Sequence, residues 1–191
     1  MKKMVTIKEN DIKSFYRKIY YYRFLRIFKT NFILDKSSKL EKENKIIVKN
    51  ILNILNSKTR REKYELIHDY ACQYLDNEFI NKNVCGFKND MCSCNRAKEK
   101  SFQVSSCCES LKTRIICEKF DSKKKTCSIK SLGCKLFICP YLRKQGIRYP
   151  IKNIPYLKYF LSPRQKAICI TSIFQDKDIT VNKLLKPYKM P

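Results

Sequence analysis

This sequence predicts a mainly α chain: a small helical body that carries an irregular, cysteine-rich module. Three observations predict it. Two long stretches show helical periodicity behind capping-box signals, a third capping box opens a helix near the C-terminus, and nine of the eleven cysteines crowd between residues 85 and 139. The chain has 191 residues, enough for one domain or for one domain with a small appended module. Its apolar fraction of 43% is that of a globular protein. The expected segments are a helical part over 1–84, the cysteine-rich module over 85–139, and C-terminal helices over 140–191 that pack on the body to give one compact domain.

The first expected helix lies in "DIKSFYRKIYYYRFLRIFKTNF", where Lys13, Arg17, Lys18, Arg23, Arg26 and Lys29 spread around the helical wheel among aromatic residues. Rings interleaved with cations can stack bases and hold phosphates. The favoured reading is packing, with the rings turned inward and the charged ends snorkelling out. Two clearer helices follow. Ser38 and Glu41 have capping-box spacing ahead of Leu40, Ile47, Ile51, Ile54 and Leu55. Thr59 and Glu62 repeat the box ahead of Tyr64, Ile67, Ala71, Tyr74 and Leu75, so an antiparallel pair with a turn at Ser57 and Lys58 is expected. Near the C-terminus Ser162, Pro163 and Gln165 give an N-cap, a first-turn proline and a closing glutamine, and "TVNKLLKP" from Thr180 forms a last helix stopped by Pro187. Helix, turn and helix with basic residues is compatible with a DNA-reading motif, but no side chain there is marked for bases, and core packing is the default. Three glycines leave no phosphate-cradling loop.

The net charge is +25, and its distribution is uneven. Residues 1–30 carry net +7, residues 31–84 net +2, residues 85–139 net +7 and residues 140–191 net +9. Both ends and the cysteine region are basic while the helical middle is nearly neutral. Such asymmetry points to a polyanionic partner, a nucleic acid or an anionic membrane surface, with an acidic protein as a further alternative. The N-terminus has basic residues but no apolar run behind them, which argues against a signal peptide. No apolar run approaches the roughly eighteen residues of a membrane span. The expected location is the cytoplasm, where thiols are kept reduced.

That location bears on the cysteines. Those between 85 and 139 are Cys85, Cys92, Cys94, Cys107, Cys108, Cys117, Cys127, Cys134 and Cys139. Large hydrophobes are scarce there outside "LGCKLFI", so the segment cannot offset its chain entropy by burial alone. A disulfide framework is the weaker reading, since eleven is an odd number and the compartment is reducing. Metal is the plausible staple. Four thiolates around zinc or an iron–sulfur cluster supply the missing folding energy, about 10 kcal/mol for structural zinc. Lys112, Arg114, Lys130 and Lys135 favour the thiolate form. All nine are candidate ligands, and their spacing leaves open which of Cys85, Cys92 and Cys94 take part. The spacing also does not choose between zinc and an iron–sulfur cluster. The only histidine, His68, stands four residues before Cys72, so the two share a helix face and either join a metal site or line the core. No residue near His68 is marked as a nucleophile.

The adjacent pair Cys107–Cys108, then Cys117, then "CSIKSLGC" from Cys127 to Cys134 resembles the CxxCxxxxCC zinc- or iron-chelating domains of the YkgJ type. The resemblance spans about residues 92–139 and implies metal chelation without implying a reaction. Leu132, Leu136, Phe137 and Ile138 are expected to dock this module on the helical body.

Three functional readings follow. The first is a cytosolic metal-binding protein with a Cys-ligated zinc or iron–sulfur module and no catalysis of its own. The second is a basic nucleic-acid-binding regulator with a structural metal site, and the third an iron–sulfur redox protein or enzyme. If metal staples the module, chelation should abolish protease protection within residues 85–139 while residues 38–76 stay helical. Serine at Cys108, Cys117, Cys127 or Cys134 should lower bound metal, and serine at Cys169, a core thiol, should not. Metal analysis of each variant checks this.

Overall fold

Helix α3 organises the molecule, and its start is written in the sequence. In the computed structural model Thr59 Oγ1 accepts the Glu62 amide at 3.0 Å, and the Glu62 carboxylate accepts the amides of Lys58 and Thr59 at 2.6 and 3.4 Å. The predicted capping box therefore forms and launches α3 over Arg60–Asn81. The structure describes residues 3–81, 83–84, 86, 88, 93, 120–121, 126–127, 131–137, 140–147 and 150–187. Among them the architecture is mainly helical: eight helices, one 3₁₀ turn and two short two-stranded ladders.

The N-terminal part is less purely helical than expected. Strand β1 (Met4–Ile7) and strand β2 (Asn31–Leu34) pair in parallel, with Val5 opposite Phe32, and are joined by helix α1 (Ile12–Ile27). Asp11 caps α1 by accepting the amides of Lys13 and Ser14. Lys29, with φ +56°, turns the chain in the left-handed region after the helix ends. The open edge of β2 is closed by one side chain. Asn56 accepts the Phe32 amide at 2.9 Å and donates to the Phe32 carbonyl at 2.8 Å, replacing a neighbouring strand.

Helix α2 spans Lys42–Asn56 and buries Val48, Ile51, Leu52, Ile54 and Leu55, the periodic face expected. Its predicted capping box does not form. Ser38 is buried, and its hydroxyl accepts the Glu9 amide at 3.2 Å, so α2 starts behind Glu41 with no side-chain cap. The Ser38 oxygen serves the buried Glu9 loop instead, where Lys18 and the Tyr22 hydroxyl also reach the Glu9 carboxylate.

On the C-terminal side the ladder of β3 (Phe120–Asp121) and β4 (Thr126–Cys127) is antiparallel. Helices α4 (Leu132–Leu136), α5 (Pro140–Lys144), α6 (Pro155–Phe160), α7 (Pro163–Thr171) and α8 (Lys177–Leu185) follow. The capping box of α7 forms in both directions between Ser162 and Gln165. Helix α3 packs against α2, α4, α6 and α8, and buries Tyr64, Ile67, Ala71, Cys72 and Leu75 among them. Its acids meet incoming cations: Asp69 binds Lys177 at 2.6 Å and Asp76 binds the buried Lys135. Arg61 holds Asp178 and Asn182 of α8, each at 2.9 Å. Thr180, Val181 and Leu184 of α8 are buried, and its exposed face carries Asp178, Ile179 and Asn182, two of them bound by Arg61, so it packs on α3 without offering a basic face to a groove.

Helix α4 is seated by close approach. A Cβ on Gly133 would lie 2.5 Å from the carbonyl carbon and oxygen of Ser172 and 2.7 Å from the Ile173 amide. Ser131 donates to the same Ser172 carbonyl at 2.9 Å, and Leu132 is fully buried. Since the obstacle is backbone, Gly133→Ala should destabilise the protein by about 1–3 kcal/mol. Chemical denaturation of the two proteins, compared at equal m-value, measures it.

Candidate anion-binding cleft

Where α1, the α2–α3 turn and the end of α6 meet, they enclose a cleft of about 720 Å³. Helix α1 turns one face toward it: Tyr20, Arg23, Phe24 and Ile27 stand at i, i+3, i+4 and i+7. Arg26 joins from the same helix, Lys58, Arg60 and Lys63 come from the turn and the first turn of α3, and Phe160 closes the floor. Among the described residues, five cations line the cleft and no carboxylate does.

The two arginines of α1 that line the cleft are each fixed by carbonyls. Arg23 Nη1 donates to the Tyr159 carbonyl at 2.6 Å, while its guanidinium lies over the rings of Tyr20 and Phe160 at 5.7 and 5.9 Å. Arg26 donates to the carbonyls of Leu55 and Ser57 at 2.7 and 3.1 Å, covering the C-terminal end of α2. Lys63 sits over Phe160 at 5.8 Å and Arg60 over Tyr64 at 5.7 Å. Burial, and then the neighbouring charges of Arg23 and Arg60, hold the Lys63 ammonium below the ordinary lysine range. The cations are crowded, and the charge balance is open to an anion.

The inward packing expected for the α1 rings holds for Phe15 and Tyr22, which are buried with Ile19. It fails for Tyr20, Tyr21, Phe24 and Phe28, each more than half exposed. Arg17, Arg164 and Lys166, also basic candidates in the sequence, do not line the cleft. The signal that could have found it was the i, i+3, i+4, i+7 repeat of ring and cation in α1, together with the basic turn Lys58–Arg60.

Of the nine candidate metal ligands, Cys85, Cys92, Cys94, Cys107, Cys108, Cys117 and Cys139 lie outside the described residues, as does Ile138. Cys127 is described only as backbone, in β4. Cys134 stands in α4, half-buried, with its Sγ accepting the Phe174 amide at 3.1 Å. Leu132 docks α4 as expected and Leu136 packs at the core's edge, whereas Phe137 is exposed under Arg143. Among the described residues no three of His, Cys, Asp and Glu are grouped to hold a metal ion. Cys169 is fully buried, and burial pushes its thiol up to about 12, the behaviour of a core thiol.

His68 is 1% exposed. Its Nδ1 lies 3.9 Å from Cys72 Sγ and 3.5 Å from Asp69 Oδ1, and its Nε2 has no partner among the described residues. Burial lowers its affinity for a proton; Asp69 opposes this, and Lys177 and Lys135 reinforce it. The chain matches no family model, no curated protein and no solved structure.

The lowered His68 pKa has a definite sign in stability. The unfolded chain takes up the proton near the ordinary value of 6.5, before the folded chain does. Stability is therefore complete above that pH and declines as pH falls below it. His68 is the sole histidine, so the decline in melting temperature between pH 7 and pH 5 should be shallower in His68→Leu, as calorimetry at both pH values would show.

Proposed function

We propose that this chain is a basic nucleic-acid-binding protein whose cysteine-rich segment is stapled by a structural metal, zinc or an iron–sulfur cluster. The observation that carries the reading is the cleft: five cations and no acid among its described residues, on a chain of net charge +25. A nucleic acid supplies the missing counter-charge, and release of its condensed ions drives the association. The metal part of the proposal rests on sequence, on the density of cysteines from Cys85 to Cys139 and on the resemblance to chelating domains. Metal there serves folding, and the basic body supplies the contacts. No helix among the described residues is long and apolar enough to cross a membrane.

Arg23 and Arg26 are poor sites for a test, because their carbonyl bonds hold helix ends together. Arg60 and Lys63 have ring contacts instead. In Arg60→Gln/Lys63→Gln the log–log salt dependence of single-strand affinity should flatten by about 0.7 for each phosphate that the variant no longer neutralises. Lys42→Gln/Lys49→Gln, exposed on α2 away from the cleft, should leave the slope unchanged. Absence of binding to single strands and duplexes alike at about 50 mM salt would overturn the reading.

A further inference from the structure

Rings and cations line the cleft together: Arg23 stands between Tyr20 and Phe160, and Lys58, Arg60 and Lys63 add charge from the turn and α3. Tyr20 is 59% exposed and Phe24 56% exposed, while Phe160, at the floor, is 5% exposed. From these we infer that the cleft is a single-strand site, in which bases stack on Tyr20 and Phe24 while the phosphates run along Lys58, Arg60 and Lys63. The inference deepens the nucleic-acid reading and rests on it.

Shape separates the single strand from other polyanions. A duplex keeps its bases stacked on each other, so its phosphates could meet the cations but the rings would gain no partner. Unpaired bases offer their faces, and stacking on an aromatic side chain is sequence-tolerant because every base has one. The cleft, about 720 Å³ and open to solvent, has room between its elements for a nucleotide or two. An anionic membrane is a plane and binds surfaces that protrude. Here Phe160 is buried and Arg23 stands between Tyr20 and Phe160, although Tyr20, Phe24 and Ile27 reach solvent, so vesicle binding is one outcome of the test. An acidic peptide would satisfy the cations and leave the rings to chance contacts.

The geometry also orders the parts. Tyr20, Arg23, Phe24 and Ile27 lie along one face of α1, and Lys58, Arg60 and Lys63 come from the turn and α3. A strand laid between these elements would place bases on the α1 rings and phosphates on the turn cations. Arg23, held by the Tyr159 carbonyl and by two rings, is preorganised at the boundary. Burial, and then the charges of Arg23 and Arg60, depress the Lys63 pKa, and an entering phosphate relieves the second of these.

The test uses the full-length protein, a labelled oligothymidine and a duplex of the same length, with affinity read by fluorescence anisotropy at about 50 mM salt. The single strand should bind more tightly than the duplex. Phe24→Ala and Tyr20→Ala should each weaken single-strand binding about 5- to 100-fold and leave duplex binding within about twofold. Tyr20→Phe should retain single-strand affinity, since the ring remains. Tyr21→Ala, an equally exposed ring outside the cleft, should have no effect. Melting temperatures of all four variants establish that the fold is kept, and photocrosslinking of a bromouridine-substituted strand should map to Tyr20 or Phe24. Equal affinity for both forms, indifferent to the ring variants, would overturn the single-strand site and leave the nucleic-acid reading standing. Binding to vesicles of anionic lipid that is lost in the same ring variants, with none to oligonucleotides, would overturn both.

Discussion

Burial around one helix sets the terms for everything else in this chain. Helix α3 packs against four other helices. Tyr64, Ile67, Ala71, Cys72 and Leu75 are covered, each large aliphatic side chain contributing about 1.5–3 kcal/mol when fully buried. The stripe is wide enough to take in His68, which then sits neutral among apolar neighbours, its Nε2 unpartnered among the described residues. That is a cost the helix tolerates because the apolar burial around it is extensive.

The same helix accounts for the charge pattern. Acidic residues are scarce in this chain, seventeen against forty-two lysines and arginines, and α3 uses several of them as internal fasteners. Asp69 holds Lys177, Asp76 holds Lys135, and Glu62 is committed to the amides of Lys58 and Thr59. The near-neutrality of residues 31–84 is therefore structural. Asp69 and Asp76 bind cations that arrive from the C-terminal helices, while Glu62 is spent on the helix start. Such pairs, half exposed as Asp69 and Lys177 are, contribute little energy apiece. Their effect is on distribution: they neutralise one end of the molecule and leave the other positive.

Legibility of the fold from sequence followed the length of the signal. The boxes at Thr59 and Ser162 were readable from local spacing, and both formed. The box at Ser38 had the same spacing and failed, since the Glu9 amide, distant in sequence and buried, took the Ser38 hydroxyl. Strands β1 and β2 are four residues each, too short for alternation to show, and they are held by pairing and by the Asn56 side chain, both nonlocal. In the cleft, the α1 residues were visible as a mixture of rings and cations. What could not be seen was which rings would find cover. Phe15 and Tyr22 did, on the face toward Phe32, whereas Tyr20 lies under Arg23 and Phe24 meets Phe28 edge-on, both lining the cleft. Cys134 shows the same limit among the thiols. Spacing marked it as a ligand, yet its backbone position is fixed by Gly133 against Ser172, an approach with no trace in the cysteine pattern.

Part of the positive charge in the cleft has a structural origin. Helix ends at Leu55 and at Tyr159 present carbonyls that lack intrahelical partners, and Arg26 and Arg23 donate to them. A protein that needed only those bonds could leave the surrounding surface neutral or line it with carboxylates, which would relieve the repulsion. This chain adds Lys58, Arg60 and Lys63 beside the two arginines, and burial of Lys63 in their company lowers its pKa. Added like charge works against folding, so the extra cations are not explained by the helix ends. On the proposed nucleic-acid reading, they await a counter-ion that arrives after folding. Exposed rings on their own are common on protein surfaces. Beside five cations, the two rings of α1 are, on the proposed reading, the half of the site that would distinguish one polyanion from another.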